Sequence, residues 1–145
     1  MFIIFTIFTI LLSGTYSECV DKEGVLFRSR RNSKAPITWQ VRKYMPVVPV
    51  NKIVYKGGWL KIKDMDGDIH WVKSKFITTD YHCVVVKNGP APIKTEPNME
   101  SPDKYIEPAE KYDTFKFIGA VKGWINVEDI HGDTGWIPYE YLWTD

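Results

Sequence analysis

Two stretches of the chain carry the same pattern, 65 residues apart. The stretches 58–80 and 123–145 align without a gap and share eight identical residues. In the first copy these residues are Gly58, Trp59, Asp64, Gly67, Asp68, Trp71, Thr79 and Asp80. A fixed offset of this kind indicates a duplicated structural unit. The chain of 145 residues is therefore predicted to hold two small domains.

Each copy is predicted to form a β-hairpin. Leu60 and Ile62 alternate with lysines, which is the period of a half-buried strand. The pair Asp66 and Gly67 supplies the turn, because glycine accepts a positive φ. The inward-facing positions are then Leu60, Ile62, Val72, Ile125, Val127 and Ile137. The same alternation places four tryptophans on the outward faces, namely Trp59, Trp71, Trp124 and Trp136.

The repeated pattern resembles the C-terminal half of an SH3 domain, and most of all the bacterial SH3-like (SH3b) domains of exported proteins. It consists of Gly-Trp, a strand, Asp-x-x-Gly-Asp and, in the second copy, Gly-Trp-Ile-Pro-x-x-Tyr-Leu at 135–142. The resemblance implies an all-β fold of two tandem SH3-like small β-barrels, at 24–80 and 83–145. Short β-rich runs separated by turn residues, with no sustained helical period, favour the same architecture.

Residues 1–17 are predicted to be a secretory signal peptide. The run 2–12 is apolar apart from two threonines, and small residues follow it up to Ser17. Such a run is too short for an ordinary bilayer span. The mature protein is therefore expected to be exported, to the periplasm or the extracellular space, and to carry no membrane span.

The chain has two cysteines, Cys19 and Cys83, and each stands just before a repeat. In an oxidising compartment the simplest expectation is one disulfide between them. Lipid modification of Cys19 is an alternative, although Glu18 does not suit the small residue that such signals use. A catalytic thiol is not expected, because neighbouring strand residues point to opposite sides and His82 is badly placed to activate Cys83.

The net charge of +1 conceals two oppositely charged repeats. Residues 24–80 contain 12 Lys and Arg against 4 Asp and Glu, a net charge of +8. Residues 83–145 contain 6 against 11, a net charge of −5. The two repeats are therefore expected to attract each other in part electrostatically and to favour ligands of opposite charge.

The resemblance also implies a ligand-binding surface in each repeat. In the second repeat the implied residues are Trp124, Trp136, Pro138 and Tyr141. In the first they are Trp59, Trp71 and Phe76, with Lys73 in place of the proline. Strand alternation adds outward charges to each face: Glu128 and Glu140 would favour a cationic or amine-bearing ligand, and Lys61, Lys63 and Lys73 would favour anionic groups.

The predicted function is a non-catalytic exported module that recognises a peptide, cell-wall material of the peptidoglycan type, or an envelope protein. One alternative is an interaction protein of the envelope whose Trp faces pack between the two domains. Another is a nucleic-acid-binding protein that uses the basic, Trp-bearing first repeat. Export disfavours this last reading, so no nucleic-acid partner is expected.

The sequence offers no triad, metal cluster or carboxylate pair that indicates an enzyme. Asp64, Asp66 and Asp68 surround a glycine, but their spacing does not fit an EF-hand loop. A plain hairpin turn is expected there. Neither a metal nor a cofactor is predicted.

Overall fold

The computed structural model describes residues 17–143. These residues form strands and two one-turn 3₁₀ helices, with no α-helix among them, so the predicted all-β class is confirmed. No helix in this part of the chain is long and apolar enough to span a bilayer. The predicted signal peptide, apart from Ser17, lies outside the described residues.

The strands fall into two antiparallel sheets. The first sheet contains β1 (Glu18–Val20), β2 (Val25–Arg28), β3 (Ile37–Val41), β4 (Pro46–Pro49), β5 (Trp59–Lys63), β6 (Ile69–Lys73) and β7 (Ile77–Thr78). The second contains β8 (Cys83–Val86), β9 (Thr114–Val121), β10 (Trp124–Glu128), β11 (Thr134–Pro138) and β12 (Leu142–Trp143). The 3₁₀ helices Ser74–Phe76 and Tyr139–Tyr141 each precede the last strand of a sheet.

The duplication extends to the topology of the sheets. Five strands follow the order β6-β5-β4-β1-β7 in the first sheet and β11-β10-β9-β8-β12 in the second. The first sheet adds β2 and β3 beyond β6. In the second repeat the corresponding loop forms isolated bridges, such as Ala91 with Ala109 and Lys94 with Trp136. The two repeats therefore share a framework and differ in the loop that covers it.

Both hairpins form, and both have the predicted inward face. Leu60 pairs with Val72, and Ile125 pairs with Ile137. The six predicted inward side chains are all buried, with at most 8% of their surface exposed. Gly67 and Gly132 have φ values of 86° and 85°, as the turns require. The hairpin prediction is therefore confirmed in both copies.

Residues of the second repeat complete the hydrophobic core of the first repeat. Its buried cluster contains Phe27, Met45 and Ile62, and it also includes Val85 from β8. Trp143 of β12 packs against the same cluster. The second cluster, around Phe115, Val127 and Ile137, lies within its own repeat. Residues from both repeats thus meet in one apolar region.

The predicted disulfide between Cys19 and Cys83 is present, with the two Cα atoms 6.0 Å apart. It links β1 to β8, the corresponding strands of the two sheets. Both cysteines are buried beside Tyr44, and Tyr81 packs against them. The bond uses the Cys19 sulfur, which leaves no thiol for a lipid. A buried disulfide is compatible with an oxidising, exported environment.

Hydrogen bonds and aromatic rings make the other contacts between the repeats. The Tyr112 ring meets Trp39 edge to face at 5.3 Å, and its hydroxyl donates to Asp66 at 2.8 Å. The Thr114 hydroxyl donates to the Lys43 carbonyl at 2.6 Å. The ion pairs found among residues 17–143, His70–Asp64 and Lys94–Asp103, each lie within one repeat. The expected attraction between the repeats therefore does not take the form of ion pairs across this contact.

Candidate functional site

The outward face of the first hairpin alternates indoles with lysines. Trp59 pairs with Lys73 across the strands, and Lys61 pairs with Trp71. The Lys73 Nζ lies 4.6 Å from the Trp59 ring centroid, and the Lys61 Nζ lies 5.9 Å from that of Trp71. Each indole therefore lies under an amine from the opposite strand, an arrangement that a cation–π attraction stabilises.

Trp59 is buried, although the strand alternation places it on the outward side of the hairpin. Only 5% of its surface is exposed. Lys73 covers its ring, and its edge lies close to Gly57, where an added Cβ would come within 3.3 Å of the indole. Trp59 is therefore buried although it lies on the outward side, because Lys73 of the opposite strand and Gly57 beside it cover the ring.

A pocket of about 400 Å³ lies beside this covered indole. Three of the predicted ligand residues line it together, namely Trp59, Lys73 and Phe76. Sequence reasoning missed its other cationic residues, Lys22, Arg28 and Lys75. Lys22 and Lys75 place their amines 5.8 and 5.1 Å from the centroid of the Phe76 ring. The pocket therefore combines aromatic surface with four cationic side chains and one carboxylate, that of Glu23.

Trp71 and Lys61 lie outside the lining of this pocket, in a second aromatic group. Tyr55 meets Trp71 edge to face at 5.1 Å, and the Arg31 guanidinium lies 4.9 Å from the Tyr55 centroid. Asn51 donates to the Tyr55 hydroxyl at 3.1 Å. Sequence reasoning also missed Tyr55 and Arg31; the net charge of +8 was the only signal that pointed to such cations.

Lys63 belongs to a different surface from the other predicted lysines. It lines a cavity of about 470 Å³ together with Met65 and Trp143, where the two repeats meet. The predicted set Lys61, Lys63 and Lys73 is therefore not one cluster.

In the second repeat four of the predicted residues lie on one face of β10 and β11, namely Trp124, Glu128, Trp136 and Pro138. Trp124 pairs with Pro138, and Trp136 pairs with Asn126. Both indoles are half-buried and Pro138 is buried. Glu128 lies on the same strand face as Trp124 and is half-buried, whereas Glu140 is exposed in the 3₁₀ helix. Tyr141 packs in part against the core, so it supports this face as well as bordering it.

Each repeat has a long loop before its hairpin, at 28–41 in the first repeat, where it includes β3, and at 92–108 in the second. A buried histidine that sequence reasoning missed connects the first hairpin to this loop. The His70 Nε2 lies 2.7 Å from the Asp64 Oδ2, and its Nδ1 lies 2.7 Å from the Thr38 hydroxyl. This order of hydroxyl, imidazole and carboxylate is the one that activates a nucleophile in many hydrolases. The Asp64 Oδ1 also accepts the amides of Asp66 and Asp68, at 2.9 and 3.0 Å.

The second repeat explains this arrangement as a loop anchor. Its corresponding carboxylate, Asp129, accepts the amides of His131 and Asp133 at 2.8 and 3.0 Å. The remaining oxygen accepts the Tyr105 hydroxyl at 2.6 Å, and Tyr105 comes from the long loop. In both repeats, therefore, one aspartate closes the hairpin turn and ties the long loop to it. A nucleophile relay is not needed to explain Thr38, His70 and Asp64.

The hydrogen bonds of Asp129 determine its ionisation. Burial alone would raise the pKa of this carboxyl, but the bonds from the Tyr105 hydroxyl and the two amides outweigh burial and hold the pKa below its usual value. Burial and the bond to Asp129 raise the pKa of Tyr105. The pair therefore favours a charged carboxylate and a neutral phenol.

Asp64, Asp66 and Asp68 of the first turn each place one carboxylate oxygen within 4.8 Å of the others. Both oxygens of Asp64 are already occupied, by His70 and by two amides. The grouping is explained by the hairpin turn that the sequence predicted.

Comparisons with known proteins add little to this description. No protein-family model and no curated protein matches the chain. Among solved structures, the chain is similar to NlpC2 from Trichomonas vaginalis, with 12% sequence identity and a TM-score of 0.39. The match covers 90% of this chain and 48% of that one, so the chain spans about half the length of NlpC2.

Proposed function

We propose that the chain is a non-catalytic, exported binding module that recognises peptide or cell-wall ligands of the peptidoglycan type through SH3-like aromatic surfaces. The observation that supports this most is the pocket of about 400 Å³ lined by Trp59, Lys73 and Phe76. Three positions implied by the resemblance to SH3b domains meet there in one concave, partly apolar site, as ligand sites commonly do. The disulfide fits the proposed export.

The second repeat contributes a separate surface of opposite charge. Trp124 and Trp136 provide half-buried apolar area on one face, with the buried Pro138 beside Trp124. Glu128 lies on the same strand face, and Glu140 is exposed in the 3₁₀ helix that follows. A ligand with an amine, such as the side chain of a diamino acid in a wall peptide, would match this surface. Small single-module contacts of this kind bind with roughly micromolar or weaker affinity.

The alternative in which the outward tryptophans pack between the domains has less support. Trp59 and Trp71 contact Lys73, Tyr55 and Lys61 of their own repeat. The tryptophans at the contact between the repeats are instead Trp39 and Trp143.

The variant Trp124→Ala tests the second surface. Because Trp124 is half-buried on the face away from the core, we expect the fold to remain and the binding of soluble peptidoglycan fragments to weaken by about 2 kcal/mol, the scale of an interface hot spot. Titration calorimetry of the purified protein measures the affinity, and circular dichroism reports the fold. Tyr139→Ala is the control, since Tyr139 is 53% exposed beside the proposed surface and outside the predicted set.

If Trp124→Ala bound the peptidoglycan fragments as tightly as the wild type, the surface of the second repeat would not be the ligand site. An absence of binding by the intact protein to both wall fragments and wall peptides would refute the proposed function itself.

A further inference from the structure

The outward side of the first repeat carries more positive charge than its neighbours neutralise. The cationic aromatic face is defined here as Trp59, Trp71, Phe76 and Tyr55 with the cations Lys22, Arg28, Arg31, Lys61, Lys73 and Lys75. Among residues 17–143, none of these cations forms an ion pair with a carboxylate. Lys73 and Arg28 donate to backbone carbonyls, of Gly57 and Ala35, which leaves their charge uncompensated. The pocket lining contains one carboxylate, that of Glu23, against four cations, and a concave surface with such an excess of one sign of charge concentrates ligands of the other sign.

The second repeat has the same indoles without the charge. Trp124 and Trp136 correspond to Trp59 and Trp71 by the 65-residue offset. The lysines at 61, 63, 73 and 75 correspond to Asn126, Glu128, Pro138 and Glu140. The hairpin therefore does not require these lysines, and the placement of Lys61, Lys73 and Lys75 over aromatic rings points to a ligand that uses both features.

We propose that the cationic aromatic face binds a carboxylate-bearing polysaccharide. The face has two cationic and aromatic groups in succession, the pocket at Trp59 and Phe76 and the group of Trp71 with Tyr55. Because Trp59 is covered, the rings that a sugar can lie on are the half-buried Phe76, Trp71 and Tyr55, while the sugar carboxylate meets an adjacent amine. Cations at both groups suit a chain that presents anionic groups repeatedly along its length.

A nucleic acid would offer the same charge and would also stack on aromatic rings. The buried disulfide favours the polysaccharide, because disulfides persist in oxidising compartments outside the cytosol. This inference rests on the proposed function, in that it names the ligand class for the surface of the first repeat. It concerns a surface separate from that of Trp124, so the two can be tested apart.

Binding of the intact, disulfide-bonded protein to three polymers tests the proposal: polygalacturonate, neutral dextran and single-stranded polythymidylate. We expect polygalacturonate to bind, with an affinity that falls about tenfold or more between low and high salt because the charges are screened. Dextran should bind at least about tenfold more weakly at low salt. The double variant K61Q/K73Q should lower the polygalacturonate affinity about tenfold, as the loss of two charged contacts implies.

The matched control is K87Q/K122Q, which removes two exposed lysines of the second repeat and should change the affinity less than about twofold. Circular dichroism confirms that each variant is folded. If K61Q/K73Q does not fold, K22Q/K75Q replaces it and carries the same expectation.

Equal binding of dextran and polygalacturonate would overturn the proposal, and so would full retention of binding by the folded lysine variant. Tighter binding of polythymidylate than of polygalacturonate would overturn it in favour of a nucleic-acid ligand. Wall-fragment binding that persists while polygalacturonate fails would leave the proposed function standing and refute this inference alone.

Discussion

Asp64 and Asp129 occupy the same position in the two hairpins and perform the same task with different partners. Each accepts two amides of its own turn, and each accepts a further hydrogen bond that reaches the long loop. In the first repeat that link runs through His70 to Thr38, and in the second it is the Tyr105 hydroxyl. A single carboxylate can therefore fix both the turn and the loop, because an ionised carboxylate accepts several hydrogen bonds at once.

Tyr105→Phe tests this role. The variant loses the hydrogen bond to Asp129, so we expect the free energy of unfolding near neutral pH to fall by about 1 kcal/mol. The pKa of Asp129 is lowered in the folded protein, so its stabilisation is present above the usual carboxyl pKa and is lost as pH falls through the lower folded value. Without the phenol that pKa should rise, and the loss of stability as the pH falls below the usual carboxyl pKa should become shallower.

Denaturant titration over this pH range measures both effects, with Tyr139→Phe as the control at an exposed tyrosine. The pKa of Tyr105 is raised in the folded protein, so the stability that its neutral hydroxyl contributes is present below the usual tyrosine pKa. In the wild type this contribution should be lost as the pH rises from there through the higher folded value. Equal stability and equal acid slope in Tyr105→Phe and the wild type would contradict the anchor role.

At the scale of the element, one hairpin supports two different loops. Gly135 of β11 corresponds to His70 of β6 by the 65-residue offset. The His70 ring lies beside Phe27, at 5.2 Å between centroids. A Cβ at Gly135 would lie 2.7 Å from the Ile93 Cγ2 and 3.4 Å from the Lys94 carbonyl oxygen. The loop of the second repeat therefore lies directly on its hairpin, whereas in the first repeat an imidazole fills that space.

Gly135→Ala should accordingly destabilise the second repeat by about 1–3 kcal/mol, the usual cost of overpacking a buried site. Gly119→Ala is the control, because the nearest atom to its added Cβ would be the Asn126 Cβ at 3.9 Å. We expect the control to change stability by less than about 0.5 kcal/mol. If urea unfolding gave the two variants the same free energy of unfolding, the loop would move away from the added methyl group at Ile93 without loss of stability, and the prediction would be wrong.

The hairpins also show how far the sequence could predict the site. Period-two alternation identified the six buried positions and the outward side of each tryptophan, since both depend on residues a few positions apart. It did not predict that Trp59 is buried beneath Lys73, because alternation gives the side of a residue and not what lies over it. It did not predict the pocket cations Lys22 and Arg28 either, because these come from segments far away in the chain. The link from His70 to Thr38 joins residues 32 positions apart and has no local signal either.

At the scale of the whole molecule, the two repeats are joined by their cores and by a covalent bond. Val85 of the second repeat lies in the first core, and Trp143 packs against it. The sequence predicted the disulfide because two cysteines stand at matching positions. It did not predict the contact of Trp39 with Tyr112, since both residues lie outside the duplicated stretches. The opposite net charges of the repeats do not appear as ion pairs at this contact.

The position of the disulfide also determines how the protein would respond to mechanical force. A pull between the residues before Cys19 and the end of the chain would pass through the sulfurs to Cys83, because the bond bridges a sequence separation of 64. Only the segment after Cys83 would then lengthen under the pull, giving an extension of roughly 200 Å for about sixty residues. Optical-tweezer measurements should show a comparable further extension only after reductant is added or in a C19S/C83S variant. Full extension under oxidising conditions would contradict this load path. In a tethered protein, tension would thus unfold the acidic second repeat, while the basic first repeat would carry no load.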